Sequence, residues 1–370
     1  MSEIKLITMP KWGLSMDQGK VNCWLKQIGD AIAKGDEIVE VESEKIAGAV
    51  EAPVAGILRR HVANAEDVIP VGGLLGVIAA AEIADAEIDA AVADAQANFV
   101  PLASGEDATG PSTERVDVGE HSIRYLKRGE GGVPVILVHG FGGDLNNWLF
   151  NHEALAETRT VYALDLPGHG ESTKSVGNGD LDTLADVLLG FMDQLGIARA
   201  ALVGHSMGAA VSMAVAAKVP DRVVALTLIA AAGLGEEINT DYIDGFVSAA
   251  NRNAIKPQLM KLFGDASLVT RQLVDDIMKY KRLEGVDAAL KALAAALFRN
   301  GKQTTLVGDR LAALGKPTLV IWGEADQVIP SAHAKLLDGK AQVEVIAGKG
   351  HMVQMEAANE VNHLIDRFLG

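Results

Sequence analysis

The stretch Ala201-Leu202-Val203-Gly204-His205-Ser206-Met207-Gly208 decides the fold. Its first three residues form a short apolar run of strand type, and Met207 to about Val219 is an apolar run of helical length. Gly204 and Gly208 frame Ser206 between them. A strand that turns sharply into a helix needs glycines there, because side chains would collide at the crossing. Such a turn lifts the serine hydroxyl above the sheet, and the helix N-terminus favours a negative charge developing beside it. Outward from this point, apolar strands are expected at residues 135–138, 160–164, 223–229, 318–321 and 343–346, separated by helical stretches. That order predicts a mostly parallel sheet covered on both faces. The piece from about Leu234 to Leu311 breaks the alternation with helical periodicity and no convincing strand. It is read as a helical cap over the carboxyl edge of the sheet.

A serine hydroxyl is a poor nucleophile until a base takes its proton, and the base needs an orienting acid. His351, in Gly348-Lys349-Gly350-His351-Met352, directly follows the last expected strand. Asp326, in Trp322-Gly323-Glu324-Ala325-Asp326, follows the strand before it. Ser206, Asp326 and His351 therefore stand at strand ends in the order serine, acid, histidine. Glu324 is the competing acid. An acyl intermediate also needs donors for its oxyanion, each worth about 3 kcal/mol when removed. The amides of Phe141, in His139-Gly140-Phe141-Gly142-Gly143, and of Met207 are the two candidates. His139, and His169 within residues 165–172, are read as shaping loops.

The first 80 residues carry a different pattern. Gly19, Gly29, Asp30, Ile32 and Gly35 recur 37 residues later as Gly56, Glu66, Asp67, Ile69 and Gly72. Short apolar runs such as residues 37–42 and 74–78 lie between these turns, so two equivalent small sheets are expected. Lys45 sits at the join of the halves, where a duplicated barrel has a hairpin. Residues 81 to 114 are Ala-rich, with eight acidic residues and no Lys or Arg, and read as a linker whose first half, Ala81 to Asn98, forms at most a transient helix. If wholly flexible it would span roughly 30 Å, and a carrier on it would reach a nearby site at an effective concentration on the order of millimolar.

A formal charge of −16 argues against nucleic acid or an anionic membrane as partner, since phosphates select basic surfaces. The N-terminus Met-Ser-Glu-Ile-Lys has no apolar signal region and no stretch has the length of a membrane span, so a cytoplasmic protein is expected. The one cysteine, Cys23, excludes an internal disulfide and a cysteine zinc site, and no metal is read.

Residues 116 to 370 resemble the α/β-hydrolase fold family, with the segments 139–143, 165–172, 204–208, 323–330 and 348–351 in family order. Residues 1 to 80 resemble the lipoyl domains of 2-oxo acid and acetoin dehydrogenase complexes. Gly29 lies sixteen residues before Lys45 and Gly56 eleven after it, and Ala52-Pro53-Val54-Ala55-Gly56 closes the match. Glu44-Lys45-Ile46 stands where lipoyl domains usually have Asp-Lys-Ala, and the methionines that flank a biotinylated lysine are absent. The resemblance thus implies lipoate on Lys45, with Glu42 and Glu44 read by the ligating enzyme. The two-domain arrangement resembles the acyltransferase components of acetoin dehydrogenase systems. That implies transfer of an acyl group, acetyl in that family, from dihydrolipoyl-lysine to a thiol, coenzyme A, through the Ser206 site. The implied partners are a thiamine-diphosphate-dependent acetoin dehydrogenase component and a dihydrolipoamide dehydrogenase. The chain departs from the usual acyltransferase core, whose His-x-x-x-Asp-Gly is met only by His333 to Asp338-Gly339 with one residue too many, and the linker holds no legible peripheral-subunit-binding module. Two alternatives stay open: a serine hydrolase with an attached lipoyl domain, and a carrier or assembly subunit whose hydrolase domain is vestigial. The Lys279-Tyr280-Lys281-Arg282 run is a candidate contact for coenzyme A phosphates, or a solvated face.

Overall fold

The computed structural model describes residues 4–10, 18–42, 47–99 and 113–370. It divides into two compact units, residues 1–110 and 111–370.

The smaller unit contains β1 (Lys5–Thr8), β2 (Gln18–Trp24), β3 (Ala31–Ile32), β4 (Glu37–Glu42), β5 (Ala47–Glu51), β6 (Gly56–His61), β7 (Val68–Pro70) and β8 (Leu74–Ala79). They form two four-stranded sheets, ordered β1-β8-β6-β3 and β5-β4-β2-β7. Each sheet draws two strands from each half, β1 and β3 with β6 and β8 in one, β2 and β4 with β5 and β7 in the other. The 37-residue repeat is visible in the turns. Gly29 and Glu66 both take a positive φ, at 98° and 72°, and so do Gly35 and Gly72, at 89° and 82°. Asp30 accepts the Gln27 amide and Asp67 the Asn64 amide, each at 2.7 Å. Between the sheets, Val21, Val41, Leu58 and Leu75 are fully buried.

The stretch read as a linker differs over its first half. Residues Asp85–Asn98 form helix α1, and Ile83 and Ile88 join Val77 and Ala79 in one apolar cluster. Arg59 donates to the carbonyls of Ala80 and Ile83 and to Asp85, while Arg60 pairs with Asp89 at 2.9 Å. The helix is therefore docked rather than transient. An Ala-rich, acidic sequence hides this, because a few apolar side chains make the whole contact. Ile88→Asp should destabilise the smaller unit by about 3 kcal/mol or more, whereas Ala86→Asp on the exposed face should cost less than about 0.5 kcal/mol. Amide exchange of β6 and β8 in the full chain measures both.

The larger unit is built on β9 (Glu114–Val118), β10 (His121–Arg128), β11 (Val135–Val138), β12 (Val161–Leu164), β13 (Ala200–His205) and β14 (Val223–Ile229). A two-stranded hairpin, β15 (Phe298–Arg299) and β16 (Lys302–Gln303), precedes β17 (Thr318–Gly323) and β18 (Gln342–Ile346). The eight-stranded sheet runs β18-β17-β14-β13-β11-β12-β10-β9. All pairs from β18 to β12 are parallel. Strands β10 and β9 extend the sheet antiparallel at one edge, beyond the apolar strands expected from the sequence. Helices α2 (Leu149–Ala156), α3 (Leu181–Gln194) and α4 (Met207–Lys218) precede four cap helices, α5 (Thr240–Ser248), α6 (Arg252–Met260), α7 (Arg271–Lys281) and α8 (Val286–Leu297). After them come α9 (Gly308–Leu314), α10 (Val353–Glu356) and α11 (Ala358–Leu369). Apolar clusters cover both faces of the sheet, one with α3 and α4 and one with α2 and α11. Among the described residues no helix is long and apolar enough to cross a membrane.

Candidate active site

The centre of the site is the junction of β13 and α4. Ser206 takes φ 52° and ψ −117°, a region costly for a residue with a side chain and held only where the surroundings over-determine it. The packing does so from both sides. A Cβ on Gly204 would lie 2.4 Å from the Gly208 carbonyl oxygen, and one on Gly208 would lie 2.1 Å from that of Val138. The Ser206 amide donates to Ile229 at 2.9 Å, and its carbonyl accepts the Ala232 amide at 3.1 Å. Ser206 remains 8% exposed, at the floor of a pocket.

Asp326 and His351 meet across the loops that follow β17 and β18. His351 Nδ1–H donates to Asp326 Oδ2 at 2.7 Å. The same carboxylate accepts the Trp322 indole N–H at 3.0 Å and the amides of Val328 and Ile329 at 2.7 and 3.0 Å. Four donors thus fix both its oxygens. Glu324 points elsewhere and accepts the Gly348 amide at 3.1 Å, bracing the loop that carries His351. Behind that loop, His205 Nε2–H donates to the His351 carbonyl at 3.0 Å, with the rings 4.8 Å apart. Burial, with His351 alongside, holds the His205 imidazole well below its ordinary pKa. Sequence reasoning assigned His205 no role; its place inside the Ser206 turn was the one signal.

The loop holding Phe141 lies against the serine, since a Cβ on Gly140 would be 3.0 Å from Ser206 Cβ. Among the described residues, the Phe141 and Met207 amides have no protein acceptor. Two buried histidines set the loop. His139 donates from Nδ1 to the Gly140 carbonyl at 2.7 Å and accepts the Leu166 amide at Nε2, at 3.0 Å. His169 donates from Nδ1 to Pro167 and accepts the Gly142 amide at Nε2, both at 3.0 Å. Each ring must be neutral to accept an N–H, and burial lowers both pKa values. Asp165 ties the loop further by accepting the amides of Leu145 and Glu171, each at 2.8 Å.

Above Ser206 the cap encloses a pocket of about 710 Å³ open to solvent. Its walls include Phe141, Ile243, Phe246, Phe263 and Ile277, and no lysine or arginine among the described residues lines it. The Lys279-Tyr280-Lys281-Arg282 run is partly spoken for: the Tyr280 hydroxyl donates to Gly168, and Lys281 Nζ donates to the carbonyls of Phe246 and Val247. His333 is buried and bonded to Glu237 at 2.8 Å, and is not among the residues that line the Ser206 pocket. In the smaller unit Lys45 falls outside the described residues; the strands flanking it, β4 and β5, pair antiparallel with Glu42 opposite Ala47.

A strained serine between a parallel strand and a helix, with an acid and a histidine from the loops after β17 and β18, defines an α/β-hydrolase fold protein. The family described as alpha/beta hydrolase fold matches residues 133–358, and the biotin/lipoyl family, described as biotin-requiring enzyme, matches residues 5–78. A dihydrolipoyllysine-residue acetyltransferase component of an acetoin cleaving system from Pseudomonas putida is 54% identical, over 100% of this chain and 99% of that protein. A 2-hydroxy-6-oxononadienedioate/2-hydroxy-6-oxononatrienedioate hydrolase from Burkholderia vietnamiensis is 32% identical over 71% of this chain and 96% of its own. Among solved structures, a meta-cleavage product hydrolase from Pseudomonas fluorescens IP01, complexed with acetates, superposes with a TM-score of 0.64 at 26% identity, covering 69% of this chain and 96% of that one. The chain belongs to the family of dihydrolipoyllysine-residue acetyltransferase components of acetoin cleaving systems.

The histidine bracing has a pH signature. Native His169 stays unprotonated while the unfolded chain takes up a proton below its ordinary value, so stability falls as pH drops. Below about pH 6.5 this one group should account for up to about 1.4 kcal/mol per pH unit. Denaturant titrations at pH 7.5 and 5.5 should therefore show a shallower pH slope for His169→Gln than for the parent, which cancels the other titrating groups.

Proposed function

We propose that the larger unit moves an acetyl group from a dihydrolipoyl thioester to the thiol of coenzyme A through Ser206, with His351 as base and acid and Asp326 as its orienting partner. The pocket carries this reading. It is mostly apolar, with no lysine or arginine among the described residues that line it, which suits an uncharged acyl chain on an uncharged arm. It is a poor receptor for a dienedioate, the dicarboxylate named for the 32% identical hydrolase. Lipoate would be held by Lys45, whose amine forms an amide with a carboxylic acid, in the segment that joins the antiparallel strands β4 and β5. When bound, that group supplies a dithiol on which acyl groups ride as thioesters.

The residues divide the work as follows. His351 Nε2 takes the Ser206 proton as Oγ attacks the thioester carbonyl, and the Phe141 and Met207 amides receive the oxyanion. The proton then passes to the departing thiol. In the second half His351 deprotonates the incoming thiol and returns the proton to Ser206. Asp326, saturated by its own donors, holds Nδ1 protonated throughout. We place the protein in the cytoplasm, in a complex with a thiamine-diphosphate-dependent acetoin dehydrogenase component and a dihydrolipoamide dehydrogenase.

Intact mass of protein from a lipoylating host should show one lipoyl group, lost in Lys45→Arg. Acetyl-coenzyme A formation from an acetyl thioester of dihydrolipoamide should drop at least about 10³-fold in Ser206→Ala. Free acetate with no thiol dependence would favour the hydrolase reading instead. Between the two acids, Asp326→Asn should lower kcat by about 10² to 10⁴, and Glu324→Ala by less than about tenfold, in the same assay.

A further inference from the structure

Glu356 lies at the end of α10, five residues after His351. Its carboxylate accepts from three backbone amides on two separate segments. Gly264 (3.0 and 3.1 Å) and Asp265 (3.3 Å) belong to the cap, and Gly350 (2.6 Å) immediately precedes His351. The two segments also meet as bare backbone. The Met352 amide donates to the Leu262 carbonyl at 2.9 Å. A Cβ on Gly264 would lie 2.0 Å from the Gly348 carbonyl oxygen, and one on Gly350 would lie 2.5 Å from the Gly264 nitrogen. Leu262 and Phe263 line the pocket on the cap side of this junction, and His351 and Met352 line it on the other.

We propose that Glu356 is a positioning residue that locks cap residues 262–265 to the His351 loop, so that the acyl-enzyme is shielded from water while its base is held in place. The proposal rests on the Ser206 reading above. The acyl-Ser206 ester has two fates. A thiol sulfur attacks the carbonyl carbon, the bond to Oγ breaks, and the thiol proton passes through His351 to Oγ, giving a new thioester and free serine. Water follows the same transfers and gives a carboxylic acid. The acyl chain and the thiol need the cap wall, and water does not. Loosening the junction therefore shifts the partition toward water without touching the reacting atoms. Three amides on one carboxylate make it a firm link, because hydrogen bonds to a charged acceptor are the stronger kind. They also make it specific, since an amide in its place must turn an N–H toward one of the donors.

The test uses the full chain with an acetyl thioester of dihydrolipoamide and coenzyme A, and measures acetate and acetyl-coenzyme A together. Glu356→Gln should raise the acetate fraction about tenfold, with a raised KM for the thiol and a smaller loss in total turnover. Gly264→Ala strikes the same junction from the cap side and should give the same shift, and the double variant should add little, as expected for one shared contact. An unchanged acetate fraction with both products falling together, or additive effects of the two substitutions, would overturn the proposal. Ser206→Ala keeps the premise separate: products persisting there would reject the serine reading, whatever Glu356 does.

Discussion

Everything in the larger unit is arranged around a backbone conformation that Ser206 would not adopt alone. Its φ of 52° is sustained because β13 and α4 approach so closely that only glycine fits at Gly204 and Gly208. The closeness is itself a product of the sheet: β13 is the central parallel strand, flanked by β11 and β14, and α4 is buried over nearly its whole length. The strain at one residue is thus held by the best-packed part of the fold. The reward is a serine hydroxyl at the floor of a pocket and a helix N-terminus, at Met207, facing the same space.

Around that fixed point the remaining groups are held largely by hydrogen bonds to backbone, with the His351–Asp326 contact joining two of them. Asp326 receives two amides and an indole besides His351, so the imidazole is oriented by a carboxylate that is itself fixed. His139 and His169 hold the Phe141 loop as neutral acceptors, and burial keeps them neutral. His205 and Glu356 hold the loop of His351 from behind and from the cap side. Pre-set donors and acceptors of this kind need no reorganisation as charge develops, which is the condition under which they act most strongly.

The pocket and the carrier unit supply the chemical logic of the pairing. Among the described residues the pocket above Ser206 is lined mostly by apolar and aromatic side chains, without a lysine or arginine. The smaller unit reaches its compact form by mixing the strands of two repeated halves in each sheet, and α1 packs on one of the sheets.

The sequence by itself determined whatever is set by local stereochemistry. The glycines around Ser206 demanded a tight strand-to-helix turn, the alternation of strands and helices demanded a parallel sheet, and the 37-residue repeat demanded paired turns, which recur at Gly29 and Glu66 with the same sign of φ. The order of Ser206, Asp326 and His351 was legible because strand ends in such a sheet lie on one edge. Tertiary structure alone showed which of Asp326 and Glu324, two residues apart on one loop, bonds His351 and which bonds the Gly348 amide. It alone gave roles to His205, whose partner is 146 positions away, and to Glu356, whose cap partners are 91 and 92 away. It also docked α1, where a few isoleucines outweigh an otherwise solvent-seeking composition. The physical reason is common to these cases: a side chain's partner is set by long-range packing, and no local propensity records which distant amide will be brought within 3 Å.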